Sequence, residues 1–326
     1  MHMNKELLEQ LKMISDEEQA ILDGKNDIQK ELYTSQKDFI IDSKKMLEKG
    51  KLIDIRPHTR FVHFPKHRHN YVEIIYMCSG STTHIINGHN TVKLETGELL
   101  FLNQNATQEI LPAGENDVAV NFIVLPEFFD RAFLMMEDES VLQDFLVGSL
   151  KENSGLVDYL HFQVKDVLPV QNLVENMIYS LVNKQTGYRN INQTTMGLLF
   201  ILLQHQSDKI KRDDSSNYEQ GLILTALKYI EDNYKTATLE ELSSLTGLPA
   251  YSVSKLIKRH TGSTFKSLLQ IKRLNQSAFL LTTTGLAVET IITLVGYDNT
   301  SYFHRIFKAH FQMTPKAYRI TNTFST

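Results

Sequence analysis

Two stretches of this chain share one layout, and that repetition limits the folds open to it more than any other feature. The later stretch runs from Ala287 to Arg319: a short apolar helix, a turn centred on Gly296, then a helix apolar on one side and basic on the other. Such a reversal often needs φ > 0 and so favours glycine. Asn299 is placed to cap the second helix, and Phe303, Ile306 and Phe307 recur at i, i+3 and i+4 as its inward face. Thr300, Ser301, His304, Arg305 and Lys308 fall on the other side, with groups of the kind that reach base edges and phosphates. An ordinary amphipathic hairpin with a solvated face would show this pattern once. Here it occurs twice. Leu239–Gly262 has Gly247 at the turn and Val253, Leu256 and Ile257 inward. Ala250, Tyr251, Ser254, Lys255 and Lys258 are the corresponding candidates for DNA contact.

The paired units resemble the DNA-binding domain of the AraC/XylS family of transcription regulators. The resemblance rests on Leu239–Leu242, Ser254–Gly262, Arg273-Leu274, Leu280-Leu281, Val295-Gly296-Tyr297, Ser301-Tyr302-Phe303, Arg305, Phe307-Lys308, Thr314-Pro315 and Tyr318-Arg319, about a third of the chain. Four positions depart from the family pattern. Ser243, Ser277 and Ile292 replace the usual Ala, and Gln312 replaces the usual Gly. Ile292 bears most on the packing, because a small residue there lets the first helix lie close to the second, so the second motif is expected to sit slightly differently.

Charge is divided along the chain in the same sense. The whole carries a formal −4, yet from Tyr218 onward 12 Lys/Arg stand against 7 Asp/Glu, leaving 22 against 31 before it. Positive charge gathers where nucleic acid would be met. No apolar run approaches a membrane span and no apolar leader opens the sequence. A single cysteine, Cys78, cannot form an internal disulfide, which fits a cytoplasmic protein.

Residues 1–50 are expected to be helical and polar. Leu7, Leu8, Leu11 and Ile14 form a stripe, Ser15 and Glu18 a capping box, Gly24 a stop, and Phe39–Leu47 a third amphipathic segment. From 51 to 126 the pattern turns to short β-rich runs, including Tyr71–Met77, Leu99–Leu102 and Val118–Val124. Asn87-Gly88 between two of them is a hairpin signal. Closely spaced strands of this kind predict a sandwich or barrel.

Within this block His67, His69 and Glu73, followed by Gly80, look like the first motif of a cupin barrel. On a regular strand the three share parity and project inward. Two imidazoles and a carboxylate suit a divalent transition metal. The second cupin motif is damaged, however: Gln104 and Gln108 stand where the resemblance calls for Pro and a closing His, and an amide is a poor ligand for such ions. The expectation is therefore a barrel without metal or cofactor, in which Arg60, His67, His69, Glu73 and Gln108 meet a small molecule. The bland alternative is that the histidines simply satisfy one another near the barrel mouth.

Helices are expected over Phe128–Leu150, Val167–Leu181 and Gln193–Gln204, forming a covering layer at 127–206 that either pairs with a second subunit or closes the sheet within one chain. Residues 207–217 have linker composition. Residues 218–326 hold the paired motifs, joined by a long helix from Phe265 to Leu281. A rigid rod there would hold two recognition helices roughly 34 Å apart, in successive major grooves of double-stranded DNA.

The expected fold is thus α+β and multidomain: an N-terminal cupin-like β-barrel with flanking helices, and an all-α C-terminal domain with two helix-turn-helix motifs. The resemblance implies a ligand-responsive regulator, more often an activator, acting with RNA polymerase as a homodimer, with carbohydrate the commonest effector class. Two other functions fit the residues: a metal-dependent cupin enzyme fused to a DNA-binding module, and a constitutive regulator whose barrel only dimerises.

Overall fold

The computed structural model describes residues 3–129 (26 and 37 excepted), 158–204 and 217–322, with 206 and 209. The described residues divide into two units, one reaching Tyr218 and one running from Glu219. The helix expected over Phe128–Leu150 and the linker at 207–217 fall largely outside them.

Among the described residues the first unit is built on ten strands in two five-stranded sheets. One sheet has the order β1 (Ile40–Ile41), β3 (Phe64–His69), β8 (Gln108–Ile110), β5 (Ser81–Ile86), β6 (Asn90–Glu95). The other has β10 (Tyr159–Phe162), β7 (Leu99–Leu102), β4 (Val72–Ser79), β9 (Val118–Val124), β2 (Ile53–Pro57). The β5–β6 hairpin turns at Asn87 and Gly88, with φ of 56° and 76°, the mirror-image turn that suits strand twist. Buried residues alternate with half-buried ones in β5 and with exposed ones in β6, whereas β4 and β7 are buried almost throughout. The second sheet is covered on its outer side. Phe101 meets Phe162 and Phe200, and Gln171 accepts from the Tyr76 hydroxyl at 2.6 Å while donating to the Gly97 and Val164 carbonyls. Those contacts seat α4 (Leu168–Val182) and α5 (Tyr188–Gln204) on the sheet.

Two apolar clusters fill the interior. Ile75, Met77, Ile86, Val92, Leu94, Leu100 and Leu102 form one. The other joins Phe64, Tyr71, Ile110 and Ile123 to Ile28, Tyr33, Ile41 and Leu47 of the N-terminal segment. That segment is therefore part of the core. Its first helices, α1 (Lys5–Lys12) and α2 (Asp16–Leu22), begin at Asn4 and at the expected Ser15–Glu18 capping box. The third amphipathic segment is different from the expectation. Ile40–Ile41 pairs in parallel with Arg68 and His69 of β3, and only Ser43–Met46 (α3) is helical, capped by Asp42. The paired β-branched isoleucines meet an open sheet edge there, and tertiary pairing overrides the helical period.

A second correction concerns His67, His69 and Glu73, which do not share one strand. The chain leaves β3 at His69, turns at Asn70-Tyr71 and enters β4 of the other sheet, so two histidines and the glutamate face each other across the interior. Strand β10 was not foreseen. Four residues without alternation carry little signal, and they become a strand by pairing with β7.

The second unit is all helical: α6 (Asn217–Asn233), α7 (Leu239–Thr246), α8 (Ala250–Thr261), α9 (Phe265–Thr283), α10 (Val288–Leu294), α11 (Thr300–Phe311) and α12 (Pro315–Asn322). Leu274, Ala278, Leu281, Ile291, Ile292, Val295, Phe303 and Phe307 make one core around its later half. Ile292 is fully buried there, so its extra bulk is absorbed by apolar neighbours. Among the described residues no helix is long and apolar enough to cross a membrane.

Candidate nucleic-acid interface and effector cavity

Each helix pair reverses at a glycine in the left-handed region, Gly247 at φ 68° and Gly296 at φ 88°. At Gly296 a side chain is also excluded by space, because a Cβ would run into the carbonyl of Lys235. The first helix of each pair places the second. Helix α7 starts on Thr238, whose hydroxyl accepts from the Glu241 amide at 3.2 Å. The Tyr229 hydroxyl donates to Glu241 and accepts from the Thr238 amide, tying α6 to that start. Helix α11 starts on Asn299, whose side chain accepts from the Tyr302 amide at 2.9 Å.

The faces divide as the periodicity predicts. In α8, Val253, Leu256 and Ile257 are buried, while Tyr251 is 76% exposed and Lys255 and Lys258 lie in solvent. Ala250 and Ser254 are half-buried beside them. In α11, Phe303 and Phe307 are buried, and Asn299, Thr300, Ser301, His304, Arg305 and Lys308 are all exposed. Each helix therefore presents a polar, cationic strip backed by a packed apolar face. Asn299 has a second use: its side-chain oxygen accepts the cap bond from the Tyr302 amide.

The connecting helix α9 carries the fastening that the spacing of motifs did not reveal. Arg273 donates to the Tyr234 carbonyl at 2.7 Å, the Lys235 carbonyl at 2.8 Å and the Gly296 carbonyl at 2.9 Å. Arg319 of α12 does the same for the end of α9, donating to the carbonyls of Leu281 at 2.9 Å and Leu286 at 2.6 Å. Two departures from the family pattern are accommodated locally. The Ser277 hydroxyl donates to the Leu274 carbonyl, and Gln312 itself adopts φ 57° at the end of α11.

In the first unit the polar residues collect between the sheets. His58 Nδ1 donates to Asn121 Oδ1 at 3.1 Å, and Asn121 Nδ2 donates to Glu73 Oε1 at 2.9 Å. Gln108 Nε2 donates to His84 Nδ1 at 2.7 Å, which leaves His84 Nε2 to donate to Thr82. His67 Nδ1 donates to the Pro65 carbonyl at 2.8 Å. His69 stands 3.5 Å from Glu73 and 4.9 Å, ring to ring, from His67. His58, Asn121 and His84 join this cluster from strands or loops whose sequence carried no motif.

Burial governs how these groups titrate. It pushes His67 down to about 4, lowers His58, and holds His69 and His84 well below the usual imidazole range. The same burial raises the Glu73 carboxyl to about 8, with the Asn121 hydrogen bond opposing. At neutral pH the cluster is therefore uncharged. His67, Glu73, His58, Asn121, Tyr33 and Tyr71 line a hollow of about 30 Å³, room for roughly one water. Among the described residues, His58 Nε2, both nitrogens of His69, Glu73 Oε2 and Gln108 Oε1 are buried without a hydrogen-bond partner. Each such group costs about 1–3 kcal/mol, so the cluster as it stands is short of partners.

Arg60 is placed elsewhere. Its guanidinium is 2% exposed and donates to Glu18 at 2.7 Å and 3.0 Å, to the Glu115 carbonyl and to the carbonyls of Lys12 and Met13. It closes the N-terminal segment onto the sheets and does not border the hollow. The donor set does not fit a metal ion. Among the described residues no three of His, Cys, Asp or Glu are grouped to hold one, and Gln108 turns its amide nitrogen inward, to His84.

A β-sandwich with a polar interior, carried on one chain with paired helix-turn-helix motifs, is the plan of a ligand-responsive DNA-binding regulator. Residues 54–135 match the model of the AraC-like ligand binding domain, and residues 242–320 match that of a helix-turn-helix domain. The chain thus carries an AraC-like ligand binding domain and a helix-turn-helix domain, the two parts that the AraC/XylS resemblance implies. The HTH-type transcriptional activator RhaR of Mannheimia succiniciproducens is 24% identical over 263 residues, 78% of this chain and 87% of that one. The xylose operon regulatory protein of Escherichia coli is 26% identical over 102 residues, 31% of this chain and 26% of its own. Among solved structures, the C-terminal domain of AraT, a response regulator from Geobacillus stearothermophilus, is 31% identical with a TM-score of 0.31, covering 32% of this chain and 88% of that one.

Proposed function

We propose that this protein activates transcription of a metabolic operon, reading its promoter with α8 and α11 and answering to a small uncharged molecule held between the sheets. The observation that carries the reading is the repeated unit itself: two glycine-turned helix pairs, each with a buried apolar face and an exposed polar, cationic strip. Within those strips Tyr251, Ser254, Lys255, Thr300, Ser301, His304 and Arg305 meet base edges, and Lys258 and Lys308 meet phosphates, with Ala250 and Asn299 at the helix starts. The effector contacts His67, His69, Glu73 and Gln108, and satisfies the unpartnered polar atoms of the last three. Arg60 acts indirectly, by holding the N-terminal segment against the cavity.

A carbohydrate, which the hollow must widen to admit, is the effector class we favour. A neutral, polar lining suits it, and one relative is named for a xylose operon. Helices α4 and α5 pair two copies of the chain; Leu168, Tyr179, Ile191 and Leu198 stay between 43% and 50% exposed on them. The protein acts in the cytoplasm, with RNA polymerase, and catalyses no reaction. Genome-wide mapping of bound DNA tests the reading directly. Enrichment upstream of one or a few operons is expected, and the neighbouring genes would name the pathway. Uniform recovery of the genome would overturn it. Thermal shift with neutral sugars and with the matching sugar acids then tests the cavity, stabilisation being expected from the neutral set.

A further inference from the structure

Arg305 is exposed on α11, and among the described residues it has no carboxylate partner; its guanidinium carbon lies 5.4 Å from the centre of the Tyr302 ring. A lone arginine on a helix surface samples many rotamers, and reading a base pair requires one of them. Tyr302 is well placed to narrow that choice because it is itself held. Its hydroxyl donates to Gln270 Oε1 of α9 at 3.2 Å, and its ring lies 6.1 Å from that of Tyr297. Tyr297 in turn lies 5.3 Å from the Arg273 guanidinium, which three backbone carbonyls fix. Two neighbouring rings, with a cation against each, thus link the connecting helix to the exposed arginine.

We propose that Tyr302 is a positioning residue for sequence readout: its ring sets the direction in which Arg305 leaves α11 and so sharpens the preference for the base pair Arg305 meets. The inference rests on the reading of Arg305 as a base contact. It assigns a specificity role to a half-buried side chain that touches no DNA in that reading and that periodicity marks as part of neither face. A cation over an aromatic face at an exposed site is a weak interaction, equivalent to about a two- to five-fold effect on an equilibrium.

The test is selection of binding sites by the full-length protein from a random-sequence duplex library at fixed salt, followed by sequencing. Arg305→Ala should erase the preference at one base pair. Tyr302→Leu should lower the preference at that same pair about two- to five-fold and leave the others within about twofold. Tyr302→Phe, which keeps the ring, should retain most of it. A Tyr302→Leu profile unchanged at the Arg305 pair, or weakened evenly at every position, would overturn the proposal. Should Tyr302→Leu fail to fold, Gln270→Ala decides, since it frees the ring without opening the core: unchanged preference at the Arg305 pair overturns the proposal. If wild-type protein selects no sequence, the DNA-reading function itself fails. If it selects one but Arg305→Ala alters no position, only the base contact fails, and the positioning role with it.

Discussion

The Arg273 guanidinium donates to the carbonyl of Gly296 at 2.9 Å, so one side chain of the connecting helix holds the turn of the second helix-turn-helix motif. Its other two bonds reach the end of α6, at Tyr234 and Lys235. Arg273→Ala leaves three carbonyls short of a donor and should destabilise the DNA-binding unit by about 2–3 kcal/mol. Denaturant unfolding of the C-terminal unit measures this. Arg273→Lys should recover only a small part, because an ammonium cannot fork to three acceptors.

Readout at the two recognition helices should separate by residue type. Arg305→Ala and Lys255→Ala are each expected to weaken specific binding by about 1–3 kcal/mol, with little effect on scrambled duplex. Lys308→Ala should weaken binding to all sequences alike and lower the salt slope by about 1. Affinities on cognate and scrambled DNA at several salt concentrations decide it. Equal losses on both duplexes for Arg305→Ala would make it a phosphate contact.

Stability of the first unit should depend on pH in two opposed ways. The buried histidines are lowered, His67 to about 4, so the unfolded chain binds more protons than the folded one below about 6.5 and stability rises with pH up to that point. Glu73 is raised to about 8, so above its unfolded value the folded chain binds the extra proton and stability falls as pH climbs through 8. Their sum places a maximum near pH 6.5, with a decline of about 1 kcal/mol per unit between there and pH 8. Glu73→Gln should flatten that alkaline limb in thermal melts and leave the acid limb in place.

Gln312 offers a gain. A non-glycine residue at φ 57° ends α11 where a glycine would be unstrained. Gln312→Gly is expected to raise stability by about 0.5–1 kcal/mol with no loss of DNA affinity, as calorimetry and binding would show.

The two units should also separate. A fragment from Tyr218 to Thr326 contains the whole of the second core, from Leu274 to Phe307, and should fold and bind a single half-site about as well as the full chain. On a two-site promoter the full-length dimer should bind roughly 10²–10⁴ more tightly, through linkage alone. Matched affinities there would mean a monomer or a restrained dimer.

Much of the second unit was legible in the sequence because its information is local. Glycine turns, caps and a 3.6-residue period place Phe303 inward and Arg305 outward without knowledge of the rest. Arg273 and Tyr302 were visible only as family letters, since their partners lie 23 to 39 and 32 residues away. The cavity was legible by halves. His67, His69 and Glu73 were found as a motif, but the strand break at Asn70-Tyr71 was not, and Arg60 was placed in a lining that it only braces. His58, His84 and Asn121 gave no signal at all, because strands from distant parts of the chain bring them in.

The pairing of Glu18 with Arg60 bears on how any shortened version of this protein behaves. The first fifty residues could be mistaken for a polar leader that trims away cleanly. Yet Tyr33, Ile41 and Leu47 belong to the apolar interior, and Ile40–Ile41 shields the edge of β3 from other chains. Removing that stretch would take away the Glu18 carboxylate and the Lys12 and Met13 carbonyls that hold the Arg60 guanidinium, and would open the apolar cluster beside them to water. A trimmed protein that lost regulation would thus have lost its sensor fold, and its silence would say nothing about signalling.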